Sequence, residues 1–262
     1  MEQEREIKMS FEIIDFHTHP FLTAEENLNG YIKSNMDSMT IFEDMDNAGV
    51  SRFCGSVIIP KNTDFESLKK SNRDALILRD RYKGRYIPGF HVSPNYIEES
   101  IAEIKYAHDN GINLIGELVP YMHGWSDYSC DEFSVLLDEI EKYNMTVSLH
   151  TIDLDQMEKM AASHKNINFV FAHPGEKNQV LRHVEIMKKY DNVYLDLSGT
   201  GIFRWGLVEF LVNEVGAERI LFGSDYPICG VGHYAAGVHE AKISDNAKEL
   251  IFSGNTKRLL KI

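Results

Sequence analysis

Eight short apolar runs, each followed by a longer segment with apolar residues at helical spacing, constrain this 262-residue chain more than any other feature. The first run lies in FEIIDFHTHP, residues 11–20. The others are expected at 52–60, 85–91, 113–119, 145–150, 167–173, 193–198 and 219–225. Helices are expected at 38–48, 65–82, 97–108, 131–143, 155–164, 178–190 and 205–215, and two more, 244–252 and 255–260, close the chain. In the third of these, Ile97, Ile101, Ile104 and Ala107 keep to helical spacing. Several of the runs are apolar throughout, as strands of a parallel sheet covered on both faces must be. The count and the length match a (β/α)8 barrel of the TIM type. A doubly wound open sheet is the competing arrangement, and no GxGxxG follows the first run to favour it. No linker or low-complexity stretch divides the chain, so a single domain is expected over 11–262, after a polar extension at 1–10.

A parallel barrel gathers the C-terminal ends of its strands on one rim, where barrel enzymes place their chemistry. The residues expected there are His17 and His19, His91, Glu117, His150, His173 and Asp225. Five of the eleven histidines thus fall at strand ends, which scattered histidines would not do. In the first run, alternation puts Asp15, His17 and His19 on one face. Imidazole with carboxylate donors suits Zn²⁺ first, and also Mn²⁺, Fe²⁺ or Ni²⁺. On zinc a water's pKa falls to about 7, so hydroxide forms at neutral pH, with Asp225 able to accept a proton or bind the metal. His173 can bind metal or serve the water or substrate. Cys229 has no second thiolate near it in sequence and is left out of the site.

Taken in order, HTHP (17–20), SLH (148–150), FAHPG (171–175) and FGSDYP (222–227) resemble the amidohydrolase superfamily. More narrowly they resemble its amidohydrolase-related branch, which includes the aminocarboxymuconate-semialdehyde decarboxylase type. DLSG (196–199) and SGNTKRLL (253–260) add to the likeness, which runs from Asp15 to the C-terminus. The resemblance implies a (β/α)8 fold and a centre of one or two metal ions, with His17, His19, His150 and Asp225 as ligands. It also implies that His173 serves water or substrate in a single-metal site, or binds a second metal. Members hydrolyse amide, ester or lactone bonds, and some remove CO₂ without redox chemistry. Many relatives bridge two metals with a carboxylated lysine on the fourth strand, where this chain has Glu117. Glu117 then either bridges two ions or is a buried acid paired with a site histidine.

Around this set, His91 either touches substrate or bonds a backbone carbonyl. Tyr121, His123 and Trp125 sit in a loop over the expected mouth, as lid or as packing. Arg204, after the seventh run, is the best cation for a substrate carboxylate, against a surface ion pair. His233, in what reads as a Gly-rich loop, is a further substrate-side candidate, and Asp15 a partner orienting His17. His108, His164, His183 and His239 are expected on solvated faces away from the rim.

The expected activity is metal-dependent hydrolysis of a small, carboxylated amide, ester or lactone; the alternative is non-oxidative decarboxylation of a small unsaturated or aromatic acid. A barrel that binds without turnover is disfavoured, because every expected ligand is present. The partner is a small molecule, and a homo-oligomer is left open. With 27 Lys and Arg against 40 Asp and Glu, the net charge of −13 repels nucleic acid and anionic membrane, which counts against a nuclease. Three cysteines without CxxC spacing, a polar start and no 18-residue apolar run lead to a cytoplasmic expectation.

Overall fold

The computed structural model describes residues 11–29, 31, 37–59 and 64–262. The extension at 1–10, part of the polar stretch that follows the first strand and Pro60, the end of the expected second strand, lie outside the described residues. The strands are β1 (Ile13–Thr18), β2 (Val50–Gly55), β3 (Tyr86–Phe90), β4 (Leu114–Leu118), β5 (Thr146–His150), β6 (Asn168–Ala172), β7 (Val193–Asp196) and β8 (Ile220–Leu221). Between and after them run α1 (Ser38–Asn47), α2 (Phe65–Arg81), α3 (Ile97–Asp109), α4 (Asp131–Lys142), α5 (Leu154–Ser163), α6 (Lys177–Lys189), α7 (Leu207–Val215), α8 (Val231–Glu240), α9 (Asp245–Glu249) and α10 (Asn255–Leu260). All strand pairs are parallel and adjacent in sequence order, β1 to β8. The architecture is a single (β/α)8 barrel. Polar side chains start several helices: Asp37 accepts from the N–H groups of Met39 and Thr40, and Asp64 from that of Ser67.

Most core residues lie between strands and helices. A second cluster draws Ile14, Phe16, Cys54, Leu114, Val170, Tyr194 and Leu221 from strands all round the sheet, with Leu259 and Leu260 of α10. Contributions from so many strands place it inside the barrel. Asn113 Nδ2 donates to Leu260 O and Thr146 Oγ1 to Leu259 O, so α10 closes the end where β4 and β5 begin. The polar rim is left at the opposite end.

Three elements differ from the sequence expectation. The eighth strand is two residues long rather than 219–225, and the chain beyond it runs on to a turn at Asp225, whose φ is +68°. The chain beyond β8 still closes the barrel: Phe16 N donates to Phe222 O (2.9 Å), Asp225 N to His17 O (2.8 Å) and His19 N to Tyr226 O (2.7 Å). β2 stops at Gly55, whose φ of +141° and contact with the Thr18 backbone leave no room for a Cβ. The supposed loop around His233 is helix α8. Gly230 and Gly232 read as breakers, but Val231, Tyr234, Ala235 and Val238 form a buried stripe at helical spacing. Among the described residues no helix is long and apolar enough to cross a membrane.

Candidate metal centre

β1 delivers His17 and, just beyond it, His19; β4 delivers Glu117; the turn after β8 delivers Asp225. All four are buried. His17 Nε2 lies 3.2 Å from His19 Nε2, 3.4 Å from Glu117 Oε2 and 3.7 Å from Asp225 Oδ1. His19 Nε2 lies 3.3 Å from the same Glu117 oxygen and 3.4 Å from the same Asp225 oxygen. Donors held about 2.1 Å from one tetrahedral ion would stand roughly 3.4 Å apart. The measured separations fit.

The far sides of the two rings explain why these atoms can converge. His19 Nδ1 lies 3.1 Å from Ser56 O, an atom that only accepts, so it is Nδ1 that carries the proton. His17 Nδ1 lies 2.8 Å from Asp196 Oδ2, with Ser198 Oγ at 3.0 Å. Both tautomers therefore turn a lone pair toward Glu117 and Asp225. Four electron-rich atoms this close repel one another unless positive charge sits among them.

The electrostatics agree. Burial opposes charge on His17, yet Glu117 and Asp196 hold its pKa well above the ordinary value. Burial likewise opposes charge on His19, and Asp225 and Glu117 raise it to about 9. Burial alone would raise the Glu117 carboxyl, but the surrounding imidazoles hold it well below the usual range. These shifts favour positive charge among the four groups, and a divalent ion can supply it in place of protons.

Glu117 also faces a second group. Its Oε1 lies 3.1 Å from His150 Nδ1 and 3.5 Å from His173 Nε2, and those two nitrogens are 3.2 Å apart. His173, just past β6, takes a φ of +67°, and its Nδ1 meets Ser198 Oγ at 3.0 Å. His150, His173 and Asp225 open onto a cavity of about 620 Å³, walled by Phe203, Ile228 and Tyr234.

A family profile described as amidohydrolase matches residues 14–262. The chain belongs to the amidohydrolase family. The γ-resorcylate decarboxylase of Polaromonas sp. (strain JS666) is 35% identical over 72 residues, 28% of this chain, and the chain spans 22% of the length of that relative. Among solved structures, an uncharacterised TIM-barrel protein from Bordetella bronchiseptica superposes with a TM-score of 0.77 at 20% identity, over 96% of this chain and 99% of that one. A dihydroxybenzoic acid decarboxylase from Polaromonas sp. JS666, solved with manganese and 2-nitroresorcinol, gives 0.74 at 14% identity, over 96% and 97%.

The remaining residues singled out from the sequence lie as follows. His91 is buried and its Nε2 donates to Val57 O (2.9 Å), while its ring stands 4.7 Å from that of His123, also buried. Tyr121 is exposed and meets the His150 ring edge-on at 5.4 Å; Trp125 packs on Tyr128 and Phe133. Arg204 pairs with Glu176, and with the exposed His233 it lines a neighbouring cavity of about 500 Å³ rather than the one onto which His150, His173 and Asp225 open. Phe203 is common to both cavities.

Asp15 does not orient the His17 ring. Register shifts in β1 on both sides of Asp15 break the two-residue alternation. Its carboxylate instead accepts from the N–H groups of His17 and Ser224 and the Ser224 hydroxyl, joining β1 to the chain after β8. The orienting residue is Asp196, the last residue of β7, which the strand-end reasoning would have found had it been applied to that strand. His183, on α6, and His164, just past the end of α5, both expected in solvent, are buried; His239 is half-buried against Phe252, and His108 is exposed.

Proposed function

We propose that this chain is a divalent-metal-dependent carboxy-lyase that removes CO₂, without redox chemistry, from a small aromatic or unsaturated acid. The observation that carries it is the convergence of His17, His19 and Asp225, with Glu117 against both imidazoles, beside a cavity that His173 also lines. The stretch shared with γ-resorcylate decarboxylase favours lyase over hydrolase chemistry.

When bound, the ion supplies positive charge for the substrate carboxylate and spreads the charge left on carbon. Among the described residues the cavity lining holds no Lys or Arg, so that charge must come from the ion and from His173. Burial opposes the charged form of His173, but the Glu117 carboxylate beside it raises its pKa above the ordinary value and so favours the protonated ring. Decarboxylation breaks the carbon–carboxyl bond, CO₂ leaves, and the electron pair left behind takes up one proton. His173 and Asp225 face that carbon and deliver the proton. Thr151, Gln179 and Thr200 offer neutral hydrogen bonds to ring substituents, and Phe203 and Ile228 exclude water from its edge.

A second reading, hydrolysis of an amide, ester or lactone, is favoured by the two donor groups that share Glu117, an arrangement able to hold two ions. Protein loaded with Mn²⁺ or Zn²⁺ and assayed against hydroxybenzoates, unsaturated acids, amides, esters and lactones separates the two. Release of CO₂ from an acid, falling at least about 100-fold in Asp225→Asn, is expected. Hydrolysis alone, with two equivalents of metal and loss of one in Glu117→Gln, would replace the lyase reading by the second.

A further inference from the structure

Strand pairing of β2 ends at Gly55, which is registered with Thr18 on one side and Pro88 on the other. The next two residues leave the sheet but stay buried, and each carbonyl is taken by a histidine ring. Ser56 O accepts from His19 Nδ1 (3.1 Å) and Val57 O accepts from His91 Nε2 (2.9 Å). The Ser56 hydroxyl adds a 3.4 Å bond to Glu117 O. The peptide that sets the His19 tautomer is thus adjacent to the one that His91 grips.

His91 is well placed to hold it. Its backbone N–H donates to Asn72 Oδ1 (2.7 Å), and Asn72 Nδ2 donates to both His91 O and Glu103 Oε2 (3.0 Å each). Arg73 in turn grips Glu103 with two hydrogen bonds of 2.8 and 2.6 Å. The ring is fully buried and faces the His123 ring. A carbonyl only accepts, so His91 must keep its proton on Nε2. Burial, with His123 and His19 beside it, holds its pKa well below the ordinary value, which keeps the ring neutral.

We propose that His91 is a positioning residue for the metal centre: anchored through Asn72 on α2, it fixes the Ser56–Val57 backbone, and that backbone aims the Nε2 lone pair of His19. It touches neither metal nor substrate in this role. The inference rests on the metal-centre reading of the site, and not on which reaction follows.

Zn²⁺ affinity of the full chain, measured by competition with a chromophoric chelator, tests it. In His91→Asn the amide is too short to reach Val57 O, whereas in His91→Gln the amide nitrogen can take the place of Nε2. His91→Asn should bind Zn²⁺ about 10- to 100-fold more weakly than wild type, and His91→Gln within about threefold of it, the loss typical of a removed ligand-orienting partner. In the Zn²⁺-loaded wild type, ¹⁵N spectra should show His19 with a protonated, slowly exchanging Nδ1, and that signal should broaden in His91→Asn. A structural role alone would lower the melting temperature of both variants in chelator and leave Zn²⁺ affinity unmoved. Equal affinities of wild type and His91→Asn, or an equal loss in both variants, would overturn the inference while the metal centre stands. Failure of wild type to bind Zn²⁺ would remove the metal-centre reading and this inference together.

Discussion

His183, on α6 and fully buried, is the titratable residue whose environment departs most from expectation. Burial pushes its pKa down to about 4 from 6.5. The folded protein therefore keeps it neutral while the unfolded chain takes up a proton as pH falls through 6.5. Its contribution to stability is complete above 6.5, drains away between 6.5 and 4, and over that window amounts to about 3 kcal/mol. Urea unfolding at pH 7.5 and 5.0 should show a loss that shrinks by about 2 kcal/mol in His183→Phe. An undiminished loss in that variant would place the acid sensitivity elsewhere. Sequence could not expose this residue, because its helix carries Lys188 and Lys189 and the turn of the buried stripe that takes in Val180, Val184 and Met187 decides which histidine is sealed. The residues that meet at this rim were readable as candidates, since His17, His19, Glu117, His150 and His173 lie at strand ends and Asp225 in the turn that follows β8. What orients them was legible only in part. Asp196 ends β7 as the site residues end theirs, but the carbonyls that hold His19 and His91 leave no mark in a side-chain pattern.

At the scale of elements, the alternation of apolar and amphipathic runs was enough for the barrel, because period and length survive errors at boundaries. It was not enough for the ends, where the site is made. β2 stops early at Gly55, β1 bulges beside Asp15, and the chain turns sharply after β6 and β8 at His173 and Asp225, each by a backbone conformation that hydropathy does not record. The segment after β7 shows what such a turn contributes. Gly199 has a φ of +58°, and a Cβ there would lie 2.4 Å from His173 Nδ1. Gly199→Ala should fold and yet lose about 100-fold in turnover, because displacing a reacting group by about 1 Å costs that much. Gly84 offers the control: its φ is +77° with nothing within 4 Å of an added Cβ. Gly84→Ala should cost about 1 kcal/mol of stability and leave turnover intact. Equal turnover in the two variants, measured on whichever substrate the panel yields, would show that the Gly199 contact does not set the His173 ring.

For the molecule as a whole, the weakest part of the barrel wall is its seam. β8 has two residues, and beyond it the join to β1 rests on the bonds from Phe16, Asp225 and His19 and on those from Ser224 to Asp15 described above. His17 and His19 stand on one side of that seam and Asp225 on the other, with Glu117 reaching in from β4. An ion held by all four would staple the wall from inside. It would bind the folded chain and not the unfolded one, so stability should rise with free metal, by about 4 kcal/mol at a thousand times the Kd. For a domain of this size that is a rise in Tm on the order of 10 °C. The gain should also be local. On adding Mn²⁺ or Zn²⁺ to chelator-treated protein, hydrogen exchange at the amides of His19 and Asp225, which cross the seam, should slow more than exchange in α10 at the far end of the barrel. Asp225→Asn should remove most of the Tm rise and the slowing at the seam. A metal-dependent rise that persists in that variant, or slowing spread evenly over the chain, would mean that the ion stabilises the protein from somewhere other than this join.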